Sequence, residues 1–320
     1  MTRPAWDSVS NAAIVGTGTI GASWSAYFLA RGMTVTAFDP MAGAEARTRA
    51  FVARAWPDLE ALGLVRTGAR QDALRFAPTL EDAVAEAEFI QENGPEDQAK
   101  KGALFAAIDA ACPPETIIAS STSALVMTPI QAHCARPGRC VNAHPFNPPH
   151  LMPLVEVSGG DRTEEEAIAW AMDFYAAIGR TPVRLNREVY GHIANRLQYA
   201  LYNEAVRIVL DGIANVADVD AAVRNGPGLR WGIQGPFLNY HLAGGEGGLK
   251  RFYEIFEGRD RGNTDRIARQ TLTEEQKQLL SDGIAEMLDG DDEFAELTAR
   301  RDRRLVELLR LRARMDAGEL

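Results

Sequence analysis

The sequence is poor in cysteine and contains no long apolar run. Three cysteines occur in 320 residues, and Cys112, Cys134 and Cys140 show neither CxxC spacing nor the even count of a disulfide framework. We therefore expect free thiols in the cytoplasm and no metal site. No window approaches about 18 consecutive apolar residues, and the N-terminus lacks the apolar core of a signal peptide, so neither membrane crossing nor export is expected.

Basic charge is scarce relative to acidic charge. The 34 Lys and Arg residues against 44 Asp and Glu residues give a formal net charge of -10. Nucleic acid and anionic membranes would not be attracted to such a protein over distance, so neither is expected as a partner. Hydrophobic residues make up 46% of the chain and charged residues 24%, as in ordinary folded domains. The length predicts two domains with separate cores.

Strand-like runs alternate with helical stretches in the first half of the chain. Residues 12–16 and 33–38 are short, apolar and rich in β-branched side chains, and residues 20–32 between them have a helical composition, which predicts a βαβ unit. Further strand-like runs occur at residues 89–91, 116–119, 139–142, 154–157 and 182–185. The alternation predicts an α/β fold with a Rossmann-type, doubly wound, mainly parallel sheet.

The composition changes after residue 187. From Tyr190 onward the pattern is helical, so we expect an α/β domain over residues 1–187 and an all-α domain over residues 188–320. Within residues 190–212, apolar side chains recur at helical spacing at Ile193, Leu197, Leu201, Ala205 and Ile208. Such a stripe would pack against another helix or a second subunit.

A glycine-rich loop follows the first predicted strand and has the pattern G-x-G-x-x-G. Glycines there allow a tight turn, close approach to a pyrophosphate and close packing of the following helix. The residues expected to contact a dinucleotide are Gly16, Gly18, Thr19, Ile20 and Gly21. Asp39 ends the next strand, where a carboxylate can bind both ribose hydroxyls and would repel a 2'-phosphate. The pattern favours NAD, with S-adenosylmethionine as the alternative ligand.

A histidine and a glutamate flank a proline-rich turn in the segment HPFNPPHLMPLVE. His144 precedes Pro145, which favours an extended conformation at a strand end. Its imidazole is suited to removing a hydroxyl proton near neutral pH, and the resulting cation needs a negative partner. Glu156 lies in the apolar run LVEV, where an unpaired carboxylate would be costly. The pair beside a nucleotide loop indicates a dehydrogenase, whereas a structural histidine and a solvent-facing glutamate are the alternative.

Four segments, GTGTIG, SSTSAL, HPFNPPHLMPLVEV and GHIANRLQ, resemble the L-3-hydroxyacyl-CoA dehydrogenase superfamily in order and spacing. The resemblance implies NAD-dependent oxidation of a 3-hydroxyl group with His144 as the base and Glu156 as its orienting partner. It also implies that Ser123 contacts the substrate oxygen and the cofactor, and that the Asn195 amide polarises that oxygen.

The segment IQENGPEDQAKK also resembles this family, which implies cofactor contacts by Glu96 and Lys101, and Asn147 is expected near the nicotinamide. For Glu96 and Lys101 the alternative is a solvated helix start. The family further implies a homodimer formed through the helical domain.

The substrate is expected to be a small free L-3-hydroxy acid. The segment GLRW followed by GPFLNYHLAGGEGG resembles the branch that acts on carnitine or gulonate. Arg230 is a candidate for bidentate binding of a carboxylate, and Trp231 for cation–π contact with a quaternary ammonium group. A structural salt bridge and an apolar core position are the respective alternatives. An acyl-CoA substrate, or a crystallin-like protein that binds NAD without turnover, remain alternative functions.

Overall fold

The structure, a computed structural model, describes residues 4–256, 273–275, 278, 296–297, 300, 307, 311, 314–315 and 317–319. The chain forms two compact units, residues 1–201 and residues 202–320. The first unit contains the sheet and its covering helices, and the second contains helices.

The first unit is built on an eight-stranded sheet. The strands are β1 (Asn11–Val15), β2 (Thr34–Phe38), β3 (Leu74–Phe76), β4 (Phe89–Glu92), β5 (Ile117–Ser120), β6 (Cys140–Pro145), β7 (Leu154–Gly159) and β8 (Thr181–Arg184). They lie in the order β3-β2-β1-β4-β5-β6-β7-β8. The β6–β7 pair is antiparallel, and the other pairs of this sheet are parallel. This strand order confirms the predicted Rossmann-type sheet. Strand β3 was not predicted from the sequence.

Helices cover both faces of this sheet. They are α1 (Thr19–Ala30), α2 (Ala44–Ala61), α3 (Leu80–Val84), α4 (Gln98–Ala111), α5 (Met127–Gln131) and α6 (Glu165–Ala177). Alternate residues of a strand point to opposite faces, so Ile14 of β1 joins one apolar cluster and Val15 the other. The first cluster includes aromatic side chains of α1, α2 and α6, and the second contains side chains of α3, α4 and α5. A mainly parallel sheet buried on both faces therefore forms the core.

Helices follow the sheet along the chain. They are α7 (Ala194–Leu210), α8 (Val216–Asn225), α9 (Pro227–Trp231), α10 (Pro236–Ala243) and α11 (Gly248–Phe256). Between residues 202 and 256, all of which are described, the chain contains no strand, which agrees with the predicted helical second domain. Most residues after 256 in that predicted domain lie outside the described part of the chain. In the described ranges, no helix is long and apolar enough to cross a membrane.

The two ways of dividing the chain do not coincide. The boundary predicted after residue 187 falls between β8 and α7, where strand structure ends. The contact division falls after Leu201, inside α7. The first turns of α7 therefore belong to the compact unit that contains the sheet.

Candidate active site

The antiparallel pairing of β6 and β7 places a histidine directly opposite a glutamate. His144 and Glu156 are register partners, so their side chains lie on the same face of the sheet. His144 Nδ1 lies 2.8 Å from Glu156 Oε2. The two residues are 4% and 1% exposed, respectively, so Glu156 does not face solvent. An ionised carboxylate only accepts hydrogen bonds, so the neutral His144 ring has its proton on Nδ1 and a lone pair on Nε2.

The second oxygen of Glu156 is held by the backbone at the start of α7. The amides of Ile193 and Ala194 donate to Oε1 over 2.7 Å and 2.9 Å. Burial raises the pKa of Glu156, but the hydrogen bond from His144 and these two amides outweigh burial and hold the pKa below its ordinary value. Glu156 is therefore ionised at neutral pH and is fixed from two directions.

A second carboxylate fixes the loop after β5. Glu96 Oε1 accepts from Thr122 Oγ1 at 2.6 Å and from the amides of Ser123 and Ala124 at 3.0 Å and 2.9 Å. Burial raises the pKa of Glu96, but the Thr122 hydroxyl, the charge of Lys101 and the two amides lower it overall. Ser123 Oγ lies 3.4 Å from the same oxygen. In this structure Glu96 positions the Ser123 loop, and its predicted contact with a cofactor stays a prediction.

Lys101 forms a buried ion pair beneath the same loops. Its Nζ donates to the two oxygens of Glu92 at 2.9 Å and 3.0 Å and to the Gly94 carbonyl at 3.1 Å. The Ser120 hydroxyl also donates to Glu92, over 2.7 Å. Because an ammonium group has three hydrogens, Lys101 is satisfied within the protein. Its predicted role beside a cofactor also stays a prediction.

Asn195 lies in the first turn of α7 and contacts the Ser123 loop. Its Nδ2 donates to the Ser123 carbonyl oxygen at 2.9 Å. The amide has two hydrogens, so this bond leaves one for a ligand. Asn195 thus connects the start of α7 with the residue predicted to contact the substrate oxygen.

Apart from Glu156, which lies behind His144, these predicted site residues line one cavity of about 510 Å³. It lies at the carboxyl ends of β4, β5 and β6, the usual binding position in open α/β sheets. Residues predicted from the sequence that line it are Ile20, Glu96, Lys101, Ser123, His144, Asn147 and Asn195. Polar lining residues that the sequence reasoning missed are Asn93, Ser121 and Gln198. All three lie in segments already singled out, so their position beside the predicted residues was the available signal.

The glycine loop has the shape of a phosphate-binding cradle. Gly16 has φ 85°, and a Cβ there would lie 2.8 Å from the Asn93 carbonyl oxygen. A Cβ at Gly21 would lie 1.9 Å from the Gly16 carbonyl oxygen, whereas a Cβ at Gly18 would meet no atom within 4 Å. Gly18, followed by Thr19 at the start of α1, therefore borders open space at a helix N-terminus, as a pyrophosphate requires.

Asp39 lies at the carboxyl end of β2, beside the glycine loop. Its Oδ2 accepts from the Thr17 amide at 2.7 Å, and its Oδ1 from the Met41 amide at 2.9 Å. Asp39 also lines a second cavity, of about 710 Å³, together with Phe76 and Pro78. The carboxylate is thus held at this edge of the sheet, and its predicted contact with a ribose stays a prediction.

Two domains of one protein family match the sequence, and together they include the residues that line the cavity. Residues 11–189 match the 3-hydroxyacyl-CoA dehydrogenase NAD binding domain, and residues 191–287 match the 3-hydroxyacyl-CoA dehydrogenase C-terminal domain. The chain belongs to the 3-hydroxyacyl-CoA dehydrogenase family. It is an NAD-dependent oxidoreductase that acts on a CH–OH group, and its cofactor is NAD, as the glycine loop predicted.

Named relatives cover nearly the whole chain. The L-carnitine dehydrogenase of Streptomyces griseus is 48% identical over 97% of this chain and 92% of its own length. That of Streptomyces coelicolor is 47% identical over 100% of this chain and 99% of its own length. The Pseudomonas aeruginosa L-carnitine dehydrogenase is 44% identical over 93% of this chain and 92% of its own length.

Solved structures agree with this family membership. The NAD+-dependent 5-formyl-3-hydroxy-2-methylpyridine 4-carboxylic acid 5-dehydrogenase superposes with a TM-score of 0.73 at 31% identity, over 95% of this chain and 98% of its own. The 3-hydroxybutyryl-CoA dehydrogenase of Escherichia coli has a TM-score of 0.64 at 28% identity, over 78% of this chain and 53% of its own.

Arg230 and Trp231, the predicted substrate contacts, lie on α9 of the second unit. The Arg230 side chain is exposed, and Trp231 is 42% exposed. Neither is a core residue of its unit, and their roles toward a substrate stay predictions.

The glycine loop allows a matched pair of substitutions. Gly18→Ala adds a methyl group into open space, so we expect the wild-type melting temperature but NAD affinity weakened about tenfold or more, because the methyl occupies pyrophosphate space. Gly21→Ala forces a methyl against the Gly16 carbonyl and should destabilise the fold by about 1–3 kcal/mol. Thermal melts and NAD titration measure both effects. Unchanged NAD affinity in Gly18→Ala would contradict the assignment of the cradle.

Proposed function

We propose that this chain oxidises the 3-hydroxyl group of a small free L-3-hydroxy acid to the 3-oxo acid, with His144 as the general base. The observation that carries the proposal is the buried His144–Glu156 pair at the cavity beside the glycine loop. L-Carnitine is the first candidate substrate, because L-carnitine dehydrogenases at 43–48% identity match most of the chain. A gulonate-like acid is the second candidate.

His144 accepts the hydroxyl proton at Nε2. Its Nδ1 proton is held by Glu156, which fixes the tautomer and leaves the Nε2 lone pair for the substrate. When the ring becomes charged, the ionised Glu156 lies 2.8 Å away and stabilises it. The amides of Ile193 and Ala194 keep that carboxylate in place, so the negative charge is already positioned before the proton moves.

Ser123 and Asn195 act on the substrate oxygen. The Ser123 hydroxyl and the remaining hydrogen of the Asn195 amide donate to the oxygen as its charge changes. Their mutual position is fixed by the bond from Asn195 Nδ2 to the Ser123 carbonyl and by the contacts of Glu96 with the Ser123 loop.

The glycine loop and Asp39 are the main elements that hold NAD. Gly16, Gly18 and Gly21 leave room for the pyrophosphate beside the start of α1, and Asp39 binds the adenosine ribose. Thr19, Ile20, Glu96 and Asn147 are the further cofactor contacts. Lys101 also lines the cavity, but its ammonium group would reach the cofactor only by giving up a bond to Glu92 or to Gly94. Bound NAD supplies the acceptor for the hydrogen that leaves the substrate carbon with its electron pair.

Two substrate contacts are proposed on α9. The Arg230 guanidinium binds the substrate carboxylate in a bidentate manner, and the Trp231 ring contacts the trimethylammonium group of carnitine. Exposure of both side chains in their unit supports this assignment. A CoA thioester is the alternative substrate, favoured by the family domains and by the Escherichia coli 3-hydroxybutyryl-CoA dehydrogenase structure.

We also propose a cytoplasmic homodimer. The three cysteines are free in the structure, which is consistent with a reducing compartment. None of the residues of α7, all of which are described, is buried, and Ile193, Leu197 and Leu201 of the predicted stripe are 40%, 57% and 38% exposed. Exposed apolar surface of this kind supports the proposal of an interface with a second copy.

Leu197→Glu tests the dimer. A charge at the exposed centre of the stripe should shift the chain toward monomer, because a charged group is costly in an apolar interface. Sedimentation equilibrium of this variant and of the exposed control Glu86→Gln measures the shift. A wild-type chain that is monomeric at micromolar concentration would rule the dimer out.

His144→Gln tests the base. Glutamine retains a polar group of similar size but cannot take a proton near neutral pH, so kcat should fall by about 10³-fold or more while NAD affinity stays at the wild-type value. His133→Gln, at an exposed histidine, is the control and should retain full activity. Turnover near the wild-type rate in His144→Gln would remove the base assignment.

A substrate panel tests the choice of acid. NADH formation is followed by absorbance with L-carnitine, gulonate, 3-hydroxybutyrate and 3-hydroxybutyryl-CoA. The proposal predicts the highest kcat/KM for L-carnitine, and Arg230→Gln should raise its KM by about tenfold or more, since a bidentate charged contact is lost. Preference for the CoA ester would establish the alternative substrate class. Bound NAD without turnover of any acid would favour a crystallin-like role.

A further inference from the structure

His192 has an unusual backbone conformation immediately before α7. Among the described residues it is the one non-glycine residue with a positive φ, 48°, and it follows Gly191 with φ 77°. Such conformations concentrate at functional sites because the surrounding structure must hold them. The turn directs the next two amides, of Ile193 and Ala194, toward Glu156. The backbone at His192 therefore shapes the support of the proposed base pair.

The His192 ring itself contacts the proposed base. It is 1% exposed and stacks on the His144 ring, with 4.8 Å between centroids and 27° between planes. Phe146 also packs on His144 in a T-shaped arrangement, with centroids 5.7 Å apart. The hydrogen bond to Glu156 fixes the Nδ1 edge of the His144 ring. The stacked His192 ring restricts the motion that remains, which is tilting of the His144 ring out of its plane.

The far edge of His192 contacts the loop that contains Ser123. His192 Nε2 lies 3.0 Å from the Thr122 carbonyl oxygen. A carbonyl only accepts hydrogen bonds, so Nε2 carries the proton. The other nitrogen, Nδ1, is buried and has no hydrogen-bond partner in the described part of the chain. One imidazole thus connects the base on β6 with the loop after β5.

The charge state of His192 follows from its surroundings. Burial lowers the pKa of His192, and the charge of His144 lowers it further. The hydrogen bond to the Thr122 carbonyl and the charges of Glu156 and Glu96 raise the pKa, but they are outweighed, so the pKa lies below its ordinary value. The ring is therefore neutral, and it presents an aromatic face rather than a second positive charge to His144 when the base takes its proton. A neutral face tolerates an imidazolium, whereas a cation at this distance would oppose it.

We propose that His192 is a positioning residue for this dehydrogenase: its ring fixes the plane of His144, and its Nε2 hydrogen bond fixes the Thr122–Ser123 loop relative to that base. The inference rests on the proposed role of His144. It predicts separate effects for the ring face and for the hydrogen bond, which two substitutions can isolate.

His192→Gln and His192→Phe separate the two contacts. Glutamine can reach the Thr122 carbonyl with an amide but has no ring, so kcat should fall about tenfold with little change in the KM for the hydroxy acid, because the base is misaligned. Phenylalanine keeps the ring but has no donor, so the base stays aligned and kcat should stay within about threefold of wild type. The KM should rise, because the Ser123 loop loses one of the hydrogen bonds that fix it. His133→Gln, at an exposed histidine, serves as the control.

Histidine NMR reports the ring position without turnover. The chain has five histidines, so ring labelling gives five signals per subunit, assigned by single substitutions. The His144 signal should be displaced by the stacked ring in wild type and in His192→Phe, and should lose that displacement in His192→Gln. The wild-type His192 signal should stay at its neutral position as the pH is lowered through the ordinary range of an imidazole. A titrating His192, or a His144 signal unchanged in His192→Gln, would overturn the proposal.

The two measurements separate this inference from the proposed function. If His144→Gln keeps its activity while His192→Gln still moves the His144 signal, the base assignment fails and the stacking contact remains. If His144→Gln is inactive but His192→Gln has wild-type kcat and a wild-type His144 signal, only the positioning role fails. A His192→Gln chain that does not fold leaves the His192→Phe kinetics and the wild-type titration, either of which can contradict the proposal.

Discussion

The hydrogen bond between His144 and Glu156 is the interaction on which the site depends. A carboxylate that is 1% exposed needs several donors to stay ionised, since burial alone favours its neutral form. It receives one from the opposite strand and two from the backbone that leads into α7. Strand register and the turn at residues 191–192 must therefore both be correct before this carboxylate is satisfied.

Glu96 organises the other half of the site in the same way. It gathers the Thr122 hydroxyl and two loop amides, while the Lys101–Glu92 pair supports the chain just before it. Two anchored carboxylates thus fix two short segments, one with the base and one with Ser123. His192 contacts both segments, so their spacing is set by protein contacts before any ligand binds. Such prior organisation is what electrostatic stabilisation of a changing charge requires.

Much of this arrangement could be predicted from the sequence, and the reasons are local. A glycine-rich loop between an apolar strand and a helix indicates a tight turn at a helix N-terminus. A single glutamate inside an apolar strand indicates a buried carboxylate that requires a partner. The sheet could also be predicted, because its strands are short runs that are apolar on both faces. β3 was missed because three residues are too few to show a period.

The remaining features depend on contacts between distant segments. The sequence around Lys101 does not show that it pairs with Glu92, and the sequence around Glu96 does not show that it binds the Ser123 loop. Each contact forms only when two separate segments meet at the edge of the sheet. His192 was missed for a similar reason, although it lies inside the segment GHIANRLQ. Its left-handed conformation and its stacking on β6 arise only when the turn before α7 packs against the sheet.

The most direct test of this account is a crystal structure of the complex with NADH and L-carnitine. The substrate hydroxyl oxygen should lie within about 2.6–3.2 Å of His144 Nε2, with Nδ1 still bonded to Glu156. A hydroxyl group bound elsewhere, with His144 out of reach and the Glu156 contact intact, would contradict it.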